Sequence, residues 1–120
     1  MWYDLTVQPM PDADKLAAEV RVPADSPWFD GHFPGNPVLP GIAQLGMVFD
    51  LISRAFSEAI RVTDVSRVRF KQLIVPEDRL AVTAEPKAGR QGAYTFRITK
   101  GNELVCSGNM TVAAGAQENK

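Results

Sequence analysis

One segment of the chain has the spacing of a helix, and β-type segments lie on both sides of it. From Gly41 to about Ala59 apolar residues recur every three or four positions: Ile42, Leu45, Phe49, Ile52 and Phe56. In the first half of this segment, Met47, Val48 and Leu51 add apolar residues to the other faces. A helix that is apolar all round is buried. The spacing therefore predicts one long helix wrapped by other structure.

The remaining regular segments alternate as strands do. They are residues 2–8 and 15–22 before the helix, and 60–71, 79–87, 94–100 and 103–113 after it. Gly101 marks a hairpin turn between the last two. Strands, one buried helix and further strands predict an α+β fold in which a curved antiparallel sheet surrounds a single helix.

The length and charge of the chain limit its class. A chain of 120 residues corresponds to one domain, which we expect over residues 1–114, with a frayed polar tail over 115–120. The formal net charge of -1 predicts neither a nucleic-acid partner nor an anionic membrane partner. The N-terminus lacks the basic and apolar regions of a signal peptide. A cytoplasmic protein is the expectation.

The chain has a single cysteine, Cys106, so it can form no disulfide within itself. Cys106 lies in an apolar strand segment, and a free cysteine in such a place is usually a small buried hydrophobic residue. A nucleophilic role would require a base close to Cys106 in space, which sequence does not reveal.

The segment Ser26–Gly41, SPWFDGHFPGNPVLPG, combines rigid backbone with one titratable ring. Proline and glycine on both sides restrict the backbone around His32, the only histidine. Gly41 begins the helix, where free amides and the helix dipole suit a carbonyl oxygen that develops negative charge. A histidine base beside such amides suits proton removal next to a thioester carbonyl.

The same features have a structural alternative. A lone histidine is more often structural than catalytic, and rigid loops of proline and glycine also form plain turns. The residues alone leave both interpretations of His32 open.

The sequence GHFPGNPVLPG resembles the signature of the bacterial β-hydroxyacyl-[acyl carrier protein] dehydratases of fatty acid synthesis. That signature reads His-Phe-Pro-Gly-x-Pro-x-x-Pro-Gly, and this chain matches it at all positions: His32, Phe33, Pro34, Gly35, Pro37, Pro40 and Gly41. A second landmark of the family, a basic-aromatic strand and a Val-Pro-Gly-Asp-x-Leu turn, resembles residues 69–71 and 75–80. Glu77 stands in place of the glycine of that turn.

The resemblance implies a hotdog fold, an antiparallel sheet around a long central helix, with a homodimer as the minimal unit. It leaves open whether the dimers form a higher oligomer. It implies sites at the subunit interface, with the histidine, here His32, from one subunit and a helix carboxylate from the other. It implies an acyl chain carried by acyl carrier protein or coenzyme A, with the thioester carbonyl at the Gly41 amide and contacts from Phe33 and Gly35. It implies no metal or bound cofactor.

The chain departs from the family at the carboxylate. The family places Glu or Asp five residues after the glycine that begins the helix, and this chain has Gly46 there. Loss of a general acid typically costs about 10²–10⁴ in rate. Gly46 has two interpretations: an opening in the substrate site, or room for a bulkier neighbour.

Asp50 is the candidate replacement for the missing acid. It lies four residues after Gly46, on the same helix face, and its side chain leans back towards Gly46. The distance is about one helical pitch, 5.4 Å, so Asp50 would act through a water molecule. Its alternative is a hydrogen bond elsewhere or exposure to solvent. Gln44, which matches a Val-Gln-Leu-Asp branch linked to aryl polyene synthesis, could orient a water or the substrate hydroxyl.

Three functions compete on these residues. The first is a dehydratase or hydratase of 3-hydroxyacyl thioesters, serving fatty acid or polyene-type lipid synthesis, with His32 as the base. The second is a catalytically impaired acyl-thioester-binding subunit, which Gly46 favours. The third, a hotdog thioesterase, would also need a helix carboxylate, and the His-Phe-Pro-Gly motif speaks against it.

Three basic residues close together predict where a carrier protein could dock. Arg67, Arg69 and Lys71 lie in one strand region and could steer an acidic acyl carrier protein. The alternative is a solvated strand edge whose charges discourage aggregation.

Overall fold

A computed structural model of the protein describes residues 2–9, 14–29 and 37–115. These residues form one α-helix, six strands and a single 3₁₀ turn. The elements are β1 (Asp4–Gln8), β2 (Leu16–Arg21), the 3₁₀ turn (Pro27–Phe29), α1 (Gly41–Ser53), β3 (Ile60–Phe70), β4 (Arg79–Pro86), β5 (Ala93–Lys100) and β6 (Glu103–Ala114). Each predicted strand is present, with bounds that differ by no more than two residues at either end.

The six strands form one antiparallel sheet in the order β1-β2-β4-β5-β6-β3. The helix α1 packs mainly against β4 and β2. This arrangement confirms the predicted α+β class and the hotdog fold. Within the described residues, no helix is both long enough and apolar enough to cross a membrane.

The core lies between α1 and one face of the sheet. Its largest fully buried side chains are Phe96, Met47, Leu51, Ile52, Ile74, Ile98 and Met110. Cys106 is also fully buried, and burial raises the pKa of its thiol to about 11. A protonated thiol in the core is a packing group, not a nucleophile.

The helix is shorter than its apolar spacing predicted. It ends at Ser53, not near Ala59, and the chain continues in turns in which Phe56 N–H donates to the Ser53 carbonyl. The Ser53 hydroxyl donates to the Asp50 carbonyl, which also accepts from the Arg54 amide. Phe56 still packs against the core from this turn. An apolar residue in a turn therefore satisfied the helical spacing, and the predicted end was wrong.

The strand β3 is an edge strand with an uncovered apolar side. Val65 pairs with Met110, and Phe70 pairs with Cys106. Directly paired residues share a face of the sheet, so Val65 and Phe70 lie on the core side. Nevertheless Phe70 is 51% exposed and Val65 is 37% exposed. The described chain therefore leaves part of the core side of this edge uncovered.

Glu77 takes the backbone conformation of the glycine that it replaces. Its φ is 71°, a left-handed value that costs a non-glycine residue energy. Its carboxylate accepts from Arg21 at 2.5 Å and from the Ala24 amide at 2.9 Å. These bonds offset the strain and link the turn after β3 to the segment that leads into the proline-rich motif.

Candidate active site

The motif residues on which the sequence argument rests are placed only in part. His32, Phe33 and Gly35 lie outside the described residues. The second half of the motif, from Pro37 to Gly41, leads directly into α1. The part of the site that the structure describes is therefore its helix side.

The start of α1 presents free backbone donors. Pro40 precedes the helix with an extended backbone, ψ 157°, and its carbonyl accepts from Ala43 at 3.1 Å and Gln44 at 3.2 Å. No side chain among the described residues caps the helix. The amides of Gly41 and Ile42 likewise have no partner in this part of the chain. Two free amides at the positive end of a helix dipole suit an oxygen that gains negative charge.

Apolar side chains flank this helix start. A Cβ atom added to Gly41 would lie 2.6 Å from Cζ of Phe70, so the ring packs directly over the glycine. Ile42, the next residue, is 68% exposed. Phe70 was not predicted as a site residue, although it stands in the basic-aromatic landmark of the sequence. Free amides beside exposed apolar groups suit the carbonyl of an acyl chain.

Gln44 and Gly46 lie on opposite sides of α1. Gln44 is buried on the core side, where Nε2 donates to the Leu39 carbonyl at 3.3 Å. Gly46 is exposed, and a Cβ atom there would meet no atom within 4 Å. Packing within the described subunit therefore does not require a glycine at position 46. Gln44 does not point towards the place that the carboxylate would occupy.

Asp50 already has partners. The hydroxyl of Tyr3 donates to Oδ2, and Nε of Arg54 donates to Oδ1 at 3.1 Å. Burial, and then the hydrogen bond to Asp50, raise the pKa of Tyr3 far above its ordinary value, so the phenol stays protonated and donates. These contacts favour the alternative in which the Asp50 side chain is engaged elsewhere. Its role as an acid stays a prediction.

The three basic residues predicted to receive a carrier protein lie in β3 or directly after it, at the edge of the sheet. Arg67, Arg69 and Lys71 are all exposed. Arg67 has a φ of 55° and lies at a bulge between the paired residues Ser66 and Arg69. None of the three forms a salt bridge with another described residue. Their use by a partner stays a prediction.

Comparison with known proteins identifies the family. Residues 8–109 match the sequence model of the ApeI-like family, described as ApeI dehydratase. A 3-hydroxyacyl-[acyl-carrier-protein] dehydratase FabZ from Syntrophomonas wolfei is 36% identical over 100 residues, covering 76% of this chain and 69% of the relative. A FabZ from Polynucleobacter asymbioticus is 31% identical over 109 residues, covering 83% and 73%.

The solved structures agree on the fold. The dehydratase heterocomplex ApeI:P from Xenorhabdus doucetiae contains a chain that superposes with a TM-score of 0.82 at 20% identity, covering 94% of this chain and 99% of that one. With the matched sequence model, the FabZ relatives and the helix-start geometry, the resemblance seen in the motif is confirmed: this chain belongs to the ApeI-like dehydratase family.

Proposed function

We propose that the protein removes water from 3-hydroxyacyl thioesters carried by acyl carrier protein or coenzyme A. The observation that carries this proposal is the start of α1, directly after the complete motif, where the Gly41 and Ile42 amides have no partner among the described residues and no described side chain caps the helix. Membership of a dehydratase family supports the reaction. The FabZ relatives, which act on acyl-carrier-protein substrates by name, support the substrate class.

In the proposed reaction, His32 takes a proton from the carbon next to the thioester carbonyl. The electrons of that C–H bond move towards the carbonyl oxygen, where the Gly41 amide stabilises the developing charge. The enolate then forms the carbon–carbon double bond as the C–O bond to the hydroxyl group breaks. The departing oxygen takes one proton and leaves as water. The products are a trans-2-enoyl thioester and water.

Proton donation to the leaving group is the step for which this chain lacks the family's residue, the helix carboxylate. Gly46 has no side chain to supply the proton. We retain Asp50, acting through a water, as one candidate. The other is His32 itself, which returns the proton that it has taken from carbon, through a water, to the leaving oxygen. The bonds of Asp50 to Tyr3 and Arg54 favour the second route.

We propose that the working unit is a homodimer, because a single subunit leaves two apolar surfaces uncovered. They are the core side of the edge strand β3 and the exposed Ile42 face of α1. A strand of 11 residues with an unpaired edge can pair with a second copy of itself. Such pairing would extend the sheet and bring cover over both surfaces.

We also propose acyl carrier protein as the partner and the cytoplasm as the location. Exposed Arg67, Arg69 and Lys71 form a basic edge that suits an acidic carrier. Charges at such an exposed edge affect the rate of association more than the affinity, so the effect of removing them should weaken as salt increases.

A second candidate function follows from Gly46. Because position 46 is a glycine, α1 lacks the family's carboxylate, and the space where that side chain would stand is open. The protein could therefore bind acyl thioesters without turning them over. It could also contribute His32 to a dimer in which a different hotdog subunit supplies the acid.

Turnover separates these functions. The test follows dehydration of 3-hydroxyacyl thioesters, short and long, on both carriers, for wild type, His32→Ala and Asp50→Asn. Loss of turnover in both variants supports Asp50 as the acid, and loss only in His32→Ala supports a water. Asp64→Asn, an acid-to-amide change in β3, is the matched control for Asp50→Asn. A folded wild-type dimer without turnover on any substrate would reject the stand-alone enzyme and leave the second candidate.

A further inference from the structure

Gln44 is a polar residue on an apolar face. The other buried residues of α1 are Ala43, Met47, Val48, Leu51 and Ile52. Gln44 is only 4% exposed among them. A buried amide needs partners for its acceptor and its donors, because it has lost those that water provided. Gln44 has only some of these partners.

One bond sets the orientation of this amide. Nε2 of Gln44 donates to the Leu39 carbonyl at 3.3 Å. The reverse orientation would place Oε1 against that carbonyl, with two acceptors and no proton between them. The unpaired atom is therefore Oε1, which is buried without a hydrogen-bond partner in the described protein.

An unpaired buried acceptor costs more stability than one ordinary hydrogen bond returns. Leucine or methionine at position 44 would fill the space without that cost. Buried polar groups without a full set of hydrogen-bond partners are expected mainly at functional sites. The presence of Gln44 therefore calls for a role in function, not in folding.

The bond to Leu39 indicates that role. The Leu39 amide donates to the Ile74 carbonyl at 2.8 Å, while its own carbonyl accepts from Gln44. Leu39 is thus held on both sides. Pro40, with its restricted φ, and Gly41 follow at once. Gln44 therefore fixes the turn that sets the direction of the free amides at the helix start.

We infer that Gln44 is a positioning residue for the thioester carbonyl, kept at a cost in stability. The inference rests on the proposed function, since it assumes that this carbonyl binds at the Gly41 amide. Gln44 acts through Leu39, from the side of α1 opposite to Gly46.

The test compares Gln44→Leu and Gln44→Met with Met47→Leu, an apolar control on the same core face without a bond to Leu39. The thermal midpoint of each variant is measured, together with kcat and KM on 3-hydroxyacyl-N-acetylcysteamine thioesters. We expect both Gln44 variants to keep or raise the midpoint while kcat falls by about tenfold or more, because a small misplacement of a reacting group is costly. KM should change little, and Met47→Leu should stay active.

A structural role for Gln44 would give the opposite pattern. Lower midpoints with unchanged kcat, or full activity in both variants, would overturn the inference.

A second readout separates this inference from the proposed function. The carbonyl stretching frequency of a bound trans-2-enoyl-N-acetylcysteamine thioester reports hydrogen bonds to its oxygen without any turnover. If the wild type showed no turnover, the positioning role would still be supported by a carbonyl frequency shift that is smaller in Gln44→Leu than in the wild type. An equal shift in both proteins, or none in the wild type, would reject it.

Discussion

Gly46 offers a direct test of whether a missing carboxylate limits this protein. A glycine inside a helix is less stable than alanine by about 0.5–1 kcal/mol. An added Cβ meets no atom within 4 Å, so Gly46→Ala should gain that amount in free energy of unfolding. For a domain of this size, the gain raises the thermal midpoint by about 2–4 °C. A lower midpoint would mean that a second subunit fills the space beside Gly46.

Gly46→Glu should raise activity as well as stability. Its carboxyl group would project from the position that the dehydratase signature reserves for the acid, and the space around the Cβ position is open. A positioned general acid contributes about 10²–10⁴ in rate. We expect a gain near the lower end of this range because the residues around position 46 are not adapted to orient a carboxyl group. The assay follows the conjugated enoyl thioester by its absorbance.

Gly46→Gln is the matched control, because it has the same shape but no proton to donate. If Gln raised kcat as much as Glu, the gain would come from shape or stability. If Glu folded well and gave no gain over the wild type, the missing carboxylate would not be the limiting feature, and the reasoning from Gly46 would fail.

Two further predictions concern the turn at Glu77 and the proposed dimer. Glu77→Gln should lower stability at pH 7, because the Ala24 amide and then Arg21 hold the pKa of the Glu77 carboxyl below its ordinary value. That contribution is present above the ordinary value of 4.5 and is lost as pH falls below it, so unfolding curves of variant and wild type should converge in acid. Equal stability at pH 7 would refute the role of this carboxylate. Val65→Lys should give a monomer in sedimentation, because it places a charge on the uncovered core side of β3. Ser66→Lys, the same change on the outer face, should leave the dimer intact, and equal behaviour of the two would count against this interface.

The sequence predicted the fold well because the fold follows from local periodicity. Strand alternation and one apolar helical segment determine an α+β layout, and the strand bounds needed little correction. The helix end was missed because Phe56 satisfies the helical spacing while packing from a turn. Propensity and spacing cannot distinguish these two ways of burying one aromatic ring.

The site was less predictable because its key contacts join residues far apart in the chain. Asp50 was chosen by its spacing from Gly46, but its hydrogen-bond donor Tyr3 lies 47 positions away. The packing of Phe70 over Gly41 likewise joins β3 to the helix start. The Gln44–Leu39 bond spans only five residues, yet the unpaired oxygen becomes apparent only once burial is known.

The surroundings of Asp50 also restrict how the missing acid can be replaced. A general acid must hold a proton near neutral pH and release it during the reaction. The Tyr3 phenol holds its proton too firmly, since burial and Asp50 raise its pKa. The hydrogen bond to Asp50 raises the pKa of Arg54, which keeps its charge. Neither neighbour can therefore pass a proton through Asp50 to the substrate. In the proposed reaction, the proton for the leaving hydroxide therefore comes through water from Asp50 itself or from His32 after proton abstraction, or from a carboxylate that another subunit supplies beside Gly46.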